Sequence, residues 1–258
     1  MDQVRAMLDR WQRRGRRWQR GPYYPAFLDL VGRTALVVGA GKVGEGKIRG
    51  LLGAGATVRV VSLEATDQVR RWADDGRIEL FLRAYKRRDL DGCFLVIAAT
   101  ERNDTNVEVS RDAEARQTLC NVVDVPELCN FILPSIMRQG DLAIAVSTAG
   151  ASPALARKIR LELEQTYGEE YAFALEILGA LREELRERYP HPHDRKILFE
   201  RIVYSDILEM VHRGDTDAIE AWIDKCIDEG PGYASSDQHE AALEAVLAGN
   251  GDGAGARR

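Results

Sequence analysis

Cysteine is scarce in this 258-residue chain, with four residues at Cys93, Cys120, Cys129 and Cys226. None forms a Cys-x-x-Cys pair, so the spacing offers neither a thiolate zinc framework nor a disulfide scaffold. Cys93 and Cys120 fall in apolar, strand-like runs, where a small thiol is an ordinary core residue. Histidine is equally thin, and the one local cluster is His191-Pro192-His193-Asp194. A proline-bracketed junction without a third ligand nearby reads as a linker, and no metal site is assigned. No apolar run is long enough to cross a membrane, and no cleavable signal pattern stands at the start, so the expected location is the cytoplasm. A dominant charge is missing as well: 36 Lys and Arg face 41 Asp and Glu, for a net charge of −5. The whole molecule is therefore not built to attract nucleic acid, and an acidic substrate needs a local basic patch.

What is present is the composition of a soluble globular protein, 45% hydrophobic and 30% charged. The length permits one large domain or two to three modest ones. Residues 1–23 form a basic extension, with seven arginines and two tryptophans in the first twenty positions. Such a mix suits nucleic acid or anionic lipid, but a solvated extension or a helix lying on another subunit accounts for it more simply.

From Thr34 the pattern becomes regular. The apolar run TALVVG leads into a glycine turn and the helical segment KIRGLLGAGA, and TVRVVS follows as a β-branched strand closing at Ser62. Then come a helix (ATDQVRRWADDG), the strand RIELFLR, the buried-type strand CFLVIAAT, a helix capped by Asn103 or Asp104, and the strand TLCNVVD ending at Asp124. Strands that alternate with helices and read as continuous apolar runs predict an α/β fold, a Rossmann-type doubly wound parallel sheet, over 24–124. After Asp124 the pattern changes to two strands joined by a polar turn at 138–141. Ser152-Pro153 opens a helix with an N-cap serine and an N1 proline, the first of a helical domain over 151–229 that includes DRKILFERIVYSDILEMVHRG as one stretch. The tail from 230 to 258 is small and polar.

Gly39, Gly41 and Gly44, spaced G-x-G-x-x-G between strand and helix, are the fingerprint of a dinucleotide site. The first allows a tight turn, the second lets the backbone approach a pyrophosphate, and the third lets helix and strand pack closely. Lys42 and Val43 complete the loop, whose helix N-terminus offers N–H groups and positive dipole to phosphates. An acid at the end of the second strand usually bonds the ribose of NAD. Here Ser62 stands in that place, with Leu63 next and Glu64 two residues on, in the predicted loop. Arg59 lies within the strand and is a poor partner for a 2′-phosphate, so NAD is favoured over NADP. The fourth strand ends in small residues, and Ala99 and Thr100 let a flat cofactor lie against the backbone. Asp124, at the end of the fifth strand, is placed for proton transfer beside that crevice. It equally well starts a turn before Pro126, and the residues alone leave the two readings even.

The order GAGKVGEGK, LVIAATERNDTNVEVS, CNVVDVPELCNFILPSI and LAIAVSTAGASPALARKIR resembles the precorrin-2 dehydrogenase and sirohydrochlorin ferrochelatase family, whose module forms the N-terminal half of siroheme synthases. The resemblance runs from about Tyr24 to Gly168. It implies NAD-dependent oxidation of precorrin-2 to sirohydrochlorin, in some members insertion of ferrous iron, and a homodimer with an intertwined dimerisation region at about 125–150. It also implies that Asp124 is the residue on which both activities depend, as general base or proton acceptor. The many carboxylate arms of precorrin-2 would be met by Ser147, Thr148, Gly150 and Ser152, a hydroxyl-rich loop before a helix N-terminus, together with Arg157 and Lys47, of which Arg157 reads equally as part of a solvated basic face and Lys47 as an ordinary surface lysine. The chain departs from the family in keeping only the lysine of the Arg-Lys pair after the glycine loop, at Gly46-Lys47, and in having Thr148 where some relatives have serine.

Two other readings stand beside this one. A nucleotide-sensing regulatory module without catalysis explains the glycine loop and the helices, but not the NVVD, FILPS and STAGASP segments. A short-chain alcohol-type dehydrogenase needs Tyr-x-x-x-Lys, and neither Tyr167 nor Tyr171 has a lysine four positions on.

Overall fold

The computed structural model describes residues 23–232. The basic N-terminal stretch and most of the polar tail lie outside the described residues. The described residues divide into two compact units: 23–134 together with Thr148–Ser152, and Ser135–Ser147 together with 153–232.

The first unit is a five-stranded parallel sheet in the order β3-β2-β1-β4-β5. Its strands are β1 (Thr34–Ala40), β2 (Thr57–Ala65), β3 (Ile78–Leu82), β4 (Cys93–Ala98) and β5 (Leu119–Val122). Helices α1 (Lys42–Gly53), α2 (Asp67–Asp74) and α3 (Asn103–Glu114) connect them, with 3-10 turns at Arg87–Leu90 and Pro126–Leu128. The apolar runs follow from burial on both faces. Ala35 and Val37 of β1 join Ile48, Leu51, Val58, Val60, Val69, Trp72, Leu95 and Ile97 on one side. Leu36 and Val38 join Val61, Leu90, Val96, Val109, Ala113 and Cys120 on the other.

Three local details differ from the sequence reading. Strand β5 stops at Val122, so Asp124 lies beyond it. The first turn of α3 already contains Asn103 and Asp104, and neither is its cap: the N-cap is Arg102, without a side-chain cap bond. The hydroxyl of Thr100 accepts from the Arg102 N–H at 3.2 Å instead. Lastly, β2 continues to Ala65, which places Glu64 within the strand rather than in a loop.

In the second unit, β6 (Ser135–Gln139) and β7 (Leu142–Val146) pair as an antiparallel hairpin, which packs against α4 (Pro153–Thr166) and α5 (Glu169–Arg188). Helices α6 (Pro192–Val203), α7 (Ile207–Arg213) and α8 (Thr216–Glu229) complete it. The stretch predicted as one helix is thus two, broken at 204–206. Leu181, Leu185, Leu198, Ile202, Ile207, Cys226 and Ile227 form its core. Tyr189 fastens α5 to α8 by donating its hydroxyl to the Ile227 carbonyl at 2.6 Å.

Candidate functional site

The strand order reverses between β1 and β4, and a crevice at such a switch point, outside the carboxyl ends of the strands, is where an open α/β sheet takes its ligand. The glycine turn forms the floor of that crevice. Gly39 has φ +103°, and a Cβ there would sit 2.3 Å from the Ala99 carbonyl oxygen. A Cβ on Gly44 would sit 2.1 Å from the Gly39 carbonyl oxygen, so helix and strand pack at glycine distance. Gly41, the N-cap of α1, is exposed, and a Cβ there meets nothing within 4 Å. A pyrophosphate bound at a helix start needs such open space beside the first helical N–H groups. Lys42 and Val43 are exposed on this first turn, Val43 to 54%.

The neighbouring wall is built by an irregularity in β2. Val38 pairs with Val61, but Ala40 pairs with Ala65, so β2 gains two residues over β1 between those points. Ser62 closes the gap by accepting the Ala40 N–H on its hydroxyl oxygen at 3.1 Å, and the Thr66 N–H donates to the Ala40 carbonyl at 3.1 Å. Leu63 and Glu64 are both exposed on the bulged stretch. Bulges of this kind re-aim side chains beside functional sites. Glu64 is thus carried by an inserted step of the strand, and Ser62 has a structural task. Thr66 then donates to Glu45 of α1 at 2.8 Å, tying the rim of the crevice to the helix that starts at its floor. Arg59 is committed elsewhere, to Glu79 at 3.1 Å and to the Asp89 carbonyl at 3.1 Å.

Across the crevice, Ala99 donates its N–H to the Val38 carbonyl at 2.8 Å and Val123 donates to that of Ala98 at 2.9 Å. Asp124 follows immediately. It is exposed and adopts φ +60°, in a turn where the Val125 N–H reaches the Val122 carbonyl at 3.3 Å. Asp124 thus lies within a turn just beyond the C-terminal end of β5. Two strand spacings, about 10 Å, separate β5 from β1.

Lys47 is half-buried on α1 in the same unit. Thr148, Gly150 and Ser152 also belong to this unit, whereas Ser147 and Arg157 belong to the other. The loop is internally braced: the Thr148 hydroxyl oxygen accepts the Ser152 N–H at 3.1 Å, and Ala151 donates to the Thr148 carbonyl at 2.9 Å. Ala149 and Gly150 are left-handed, at φ +52° and +82°. Arg157 is exposed on α4. Among the described residues no group of three or more His, Cys, Asp or Glu is arranged to hold a metal ion. Burial pushes the thiol of Cys120 up to about 12, which leaves it a core residue.

The sequence reading missed Asn106, Cys129 and Asn130. Asn106 is buried beneath Thr100, and Cys129 and Asn130 lie against β5 (below). An amide at a helical position that should be apolar is the signal that could have exposed Asn106.

Comparison with known proteins gives three consecutive family matches: "Putative NAD(P)-binding" over residues 26–135, "Sirohaem biosynthesis protein central" over 139–166 and "Sirohaem synthase dimerisation region" over 175–227. Together these matches make the chain similar to a sirohaem-biosynthesis module of three regions in this order. The siroheme synthase of Pseudomonas fluorescens (strain SBW25) is 36% identical over 231 residues, 90% of this chain and 48% of that protein. The siroheme synthase of Methylobacillus flagellatus is 40% identical over 198 residues, 75% of this chain and 42% of that protein. The chain thus spans about half the length of the siroheme synthases it matches. The structure of "SirC, precorrin-2 dehydrogenase" is matched over its whole length and 77% of this chain, with a TM-score of 0.66 and 26% identity. Within the module, the match to a dimerisation region falls on residues from α5 to α8, while the sequence reading gives that role to 125–150.

Proposed function

We propose that the chain is an NAD-dependent precorrin-2 dehydrogenase that produces sirohydrochlorin for sirohaem or a related modified tetrapyrrole, working in the cytoplasm as a homodimer. The observation that carries this reading is the exposed carboxylate of Asp124, held in a left-handed turn one strand away from the Ala99-Thr100 turn that closes on Gly39. The match to SirC and the relatedness to siroheme synthases support the choice of substrate.

NAD, when bound, supplies the hydride acceptor. Gly39, Gly41, Lys42, Val43 and Gly44 would take its pyrophosphate on backbone N–H groups, and Glu64, with Leu63 beside it, would take the ribose hydroxyls. Ser62 serves this contact by fixing the bulge. Ala99 and Thr100 leave room for a flat ring. Oxidation of the macrocycle removes two electrons as hydride and releases a proton. The Asp124 carboxylate accepts that proton, and its exposure at the sheet edge lets it pass the proton on to solvent. Lys47, Ser147, Thr148, Gly150, Ser152 and Arg157 are the proposed contacts for the substrate's carboxylate arms. The 175–227 match and the separate β6–β7 hairpin support pairing of two copies.

The test is anaerobic NADH formation with precorrin-2, for the wild type and for Asp124→Ala. NADH from the wild type and none from a folded Asp124→Ala protein is the expected result. A silent wild type overturns the assignment, and full activity in Asp124→Ala removes Asp124 from the mechanism. Sirohydrochlorin with ferrous iron, offered separately, tests iron as a second substrate.

A further inference from the structure

We propose that Cys129 and Asn130 form a clasp that positions Asp124 for the reaction; this rests on the reading of Asp124 as proton acceptor. Strand β5 is the last strand of its sheet, so one row of its backbone groups faces away from β4. An edge of this kind is ordinarily left to water or covered by another strand. Here two side chains cover it. The Cys120 N–H donates to Asn130 Oδ1 at 2.7 Å, and the Asn130 N–H returns to the Cys120 carbonyl at 3.0 Å. Asn130 Nδ2 donates to the Thr118 carbonyl at 3.0 Å. One step further along, the Val122 N–H donates to Cys129 Sγ at 3.2 Å. Residues 118, 120 and 122 share the outward parity of β5, so the amide and the thiol together replace a missing sixth strand.

The thiol reaches further than the amide. Cys129 Sγ lies 3.2 Å from the Val122 carbonyl and 3.3 Å from that of Val125, so its S–H bridges the two ends of the turn whose third residue is Asp124. That third residue has φ +60°, a conformation that favours glycine and that asparagine and aspartate tolerate at a cost. Such a conformation persists only where the surroundings over-determine it. The clasp supplies that over-determination, and Asn121 adds to it by donating Nδ2 to the Phe131 carbonyl at 3.1 Å. Cys129 acts through the backbone of Val122 and Val125, and Asn130 through that of Thr118 and Cys120, both as positioning residues.

The experiment compares Cys129→Ala, Cys129→Ser and Asn130→Ser with the wild type in the precorrin-2 assay, and measures Tm in a cycle of Asp124→Gly with Cys129→Ala. Misplacing a catalytic group by about 1 Å costs up to about 100-fold, so kcat in Cys129→Ala should fall about tenfold or more while KM for NAD stays unchanged. Cys129→Ser keeps a donor and acceptor at that position and should recover the larger part of kcat. Asn130→Ser, which leaves the thiol in place, should lower kcat in the same manner, and it provides the comparison if Cys129→Ala does not fold. In the cycle, Asp124→Gly should be more favourable by about 2–4 °C with the thiol present than without it, because only the clasped turn forces the left-handed geometry. Wild-type kcat in both Cys129→Ala and Asn130→Ser, or equal Tm changes in the two backgrounds, overturns the clasp. A silent wild type overturns the dehydrogenase reading instead, and the Tm cycle still decides whether the clasp constrains Asp124.

Discussion

The hydroxyl of Thr100 donates to Asn106 Oδ1 at 2.9 Å, and Asn106 Nδ2 donates back to the Thr100 carbonyl at 3.0 Å. This reciprocal pair fixes the turn between β4 and α3, one wall of the proposed cofactor crevice. Asn106 is buried, so Asn106→Ala leaves Thr100 polar atoms without that partner and should destabilise the protein by about 1–3 kcal/mol. Denaturant unfolding reads that loss. Thr100→Val should fold more stably than Asn106→Ala yet bind NAD more weakly than wild type, as an NAD titration would report.

The two central glycines should separate folding from binding. Gly39→Ala places a Cβ against the Ala99 carbonyl at a left-handed position, and should cost more than about 1 kcal/mol in stability. Gly41→Ala meets open space in the protein and should leave Tm nearly unchanged. Its added methyl occupies the approach to the pyrophosphate, so NAD affinity should fall about tenfold or more, on the order of 1–2 kcal/mol. A Gly41→Ala protein that binds NAD normally would place the cofactor elsewhere.

Glu64 should determine cofactor choice. Removing its carboxylate in Glu64→Ser should raise KM for NAD and narrow the preference for NAD over NADP, because the charge that repels a 2′-phosphate is gone. Steady-state kinetics with both cofactors measures this. Ser62→Ala acts differently: it frees the Ala40 N–H from its partner, so Tm should fall along with NAD affinity.

Acid sensitivity should trace in part to Asp89, which is 4% exposed. Burial pushes its carboxyl upward, but the Arg83 guanidinium at 2.7 and 2.8 Å and the Lys86 N–H at 2.8 Å outweigh burial and hold it below the usual carboxylate range. A depressed folded value means that the stabilisation is present above the unfolded value, about 3.9. It is lost as pH falls through the folded value. Asp89→Asn should therefore be less stable than wild type at pH 7, and the two should converge as the solution is acidified below about pH 4. Unfolding curves across that range give the comparison.

The Rossmann-type unit was legible because its signals are local: continuous apolar runs for strands covered on both faces, and glycines spaced for a turn. The bulge in β2 was not legible. Ser62, Leu63 and Glu64 carry no pattern that distinguishes an inserted step from a loop, and only the pairing with β1 reveals it. The cap of α3 was misread for a related reason. Asn103 and Asp104 have the right chemistry for capping, but Thr100 lies three residues upstream and is locked to a buried amide. Asp124 was singled out from the sequence, while the groups that bond its turn were not. The partners of Cys129 lie four to seven residues back along the chain, in a shape that no periodicity announces.

The path of the chain between its two units has a practical consequence. It leaves the sheet-containing unit at Pro134, returns for Thr148–Ser152 and leaves again at Pro153. No single cut therefore separates the two units. A fragment ending at Pro134 loses five residues of its own unit, and one ending at Ser152 carries away a hairpin whose packing partners α4 and α5 stay behind. Dissection of this protein into independently expressed halves should yield poorly behaved fragments wherever the boundary is drawn, and the module is better treated as one unit of inheritance.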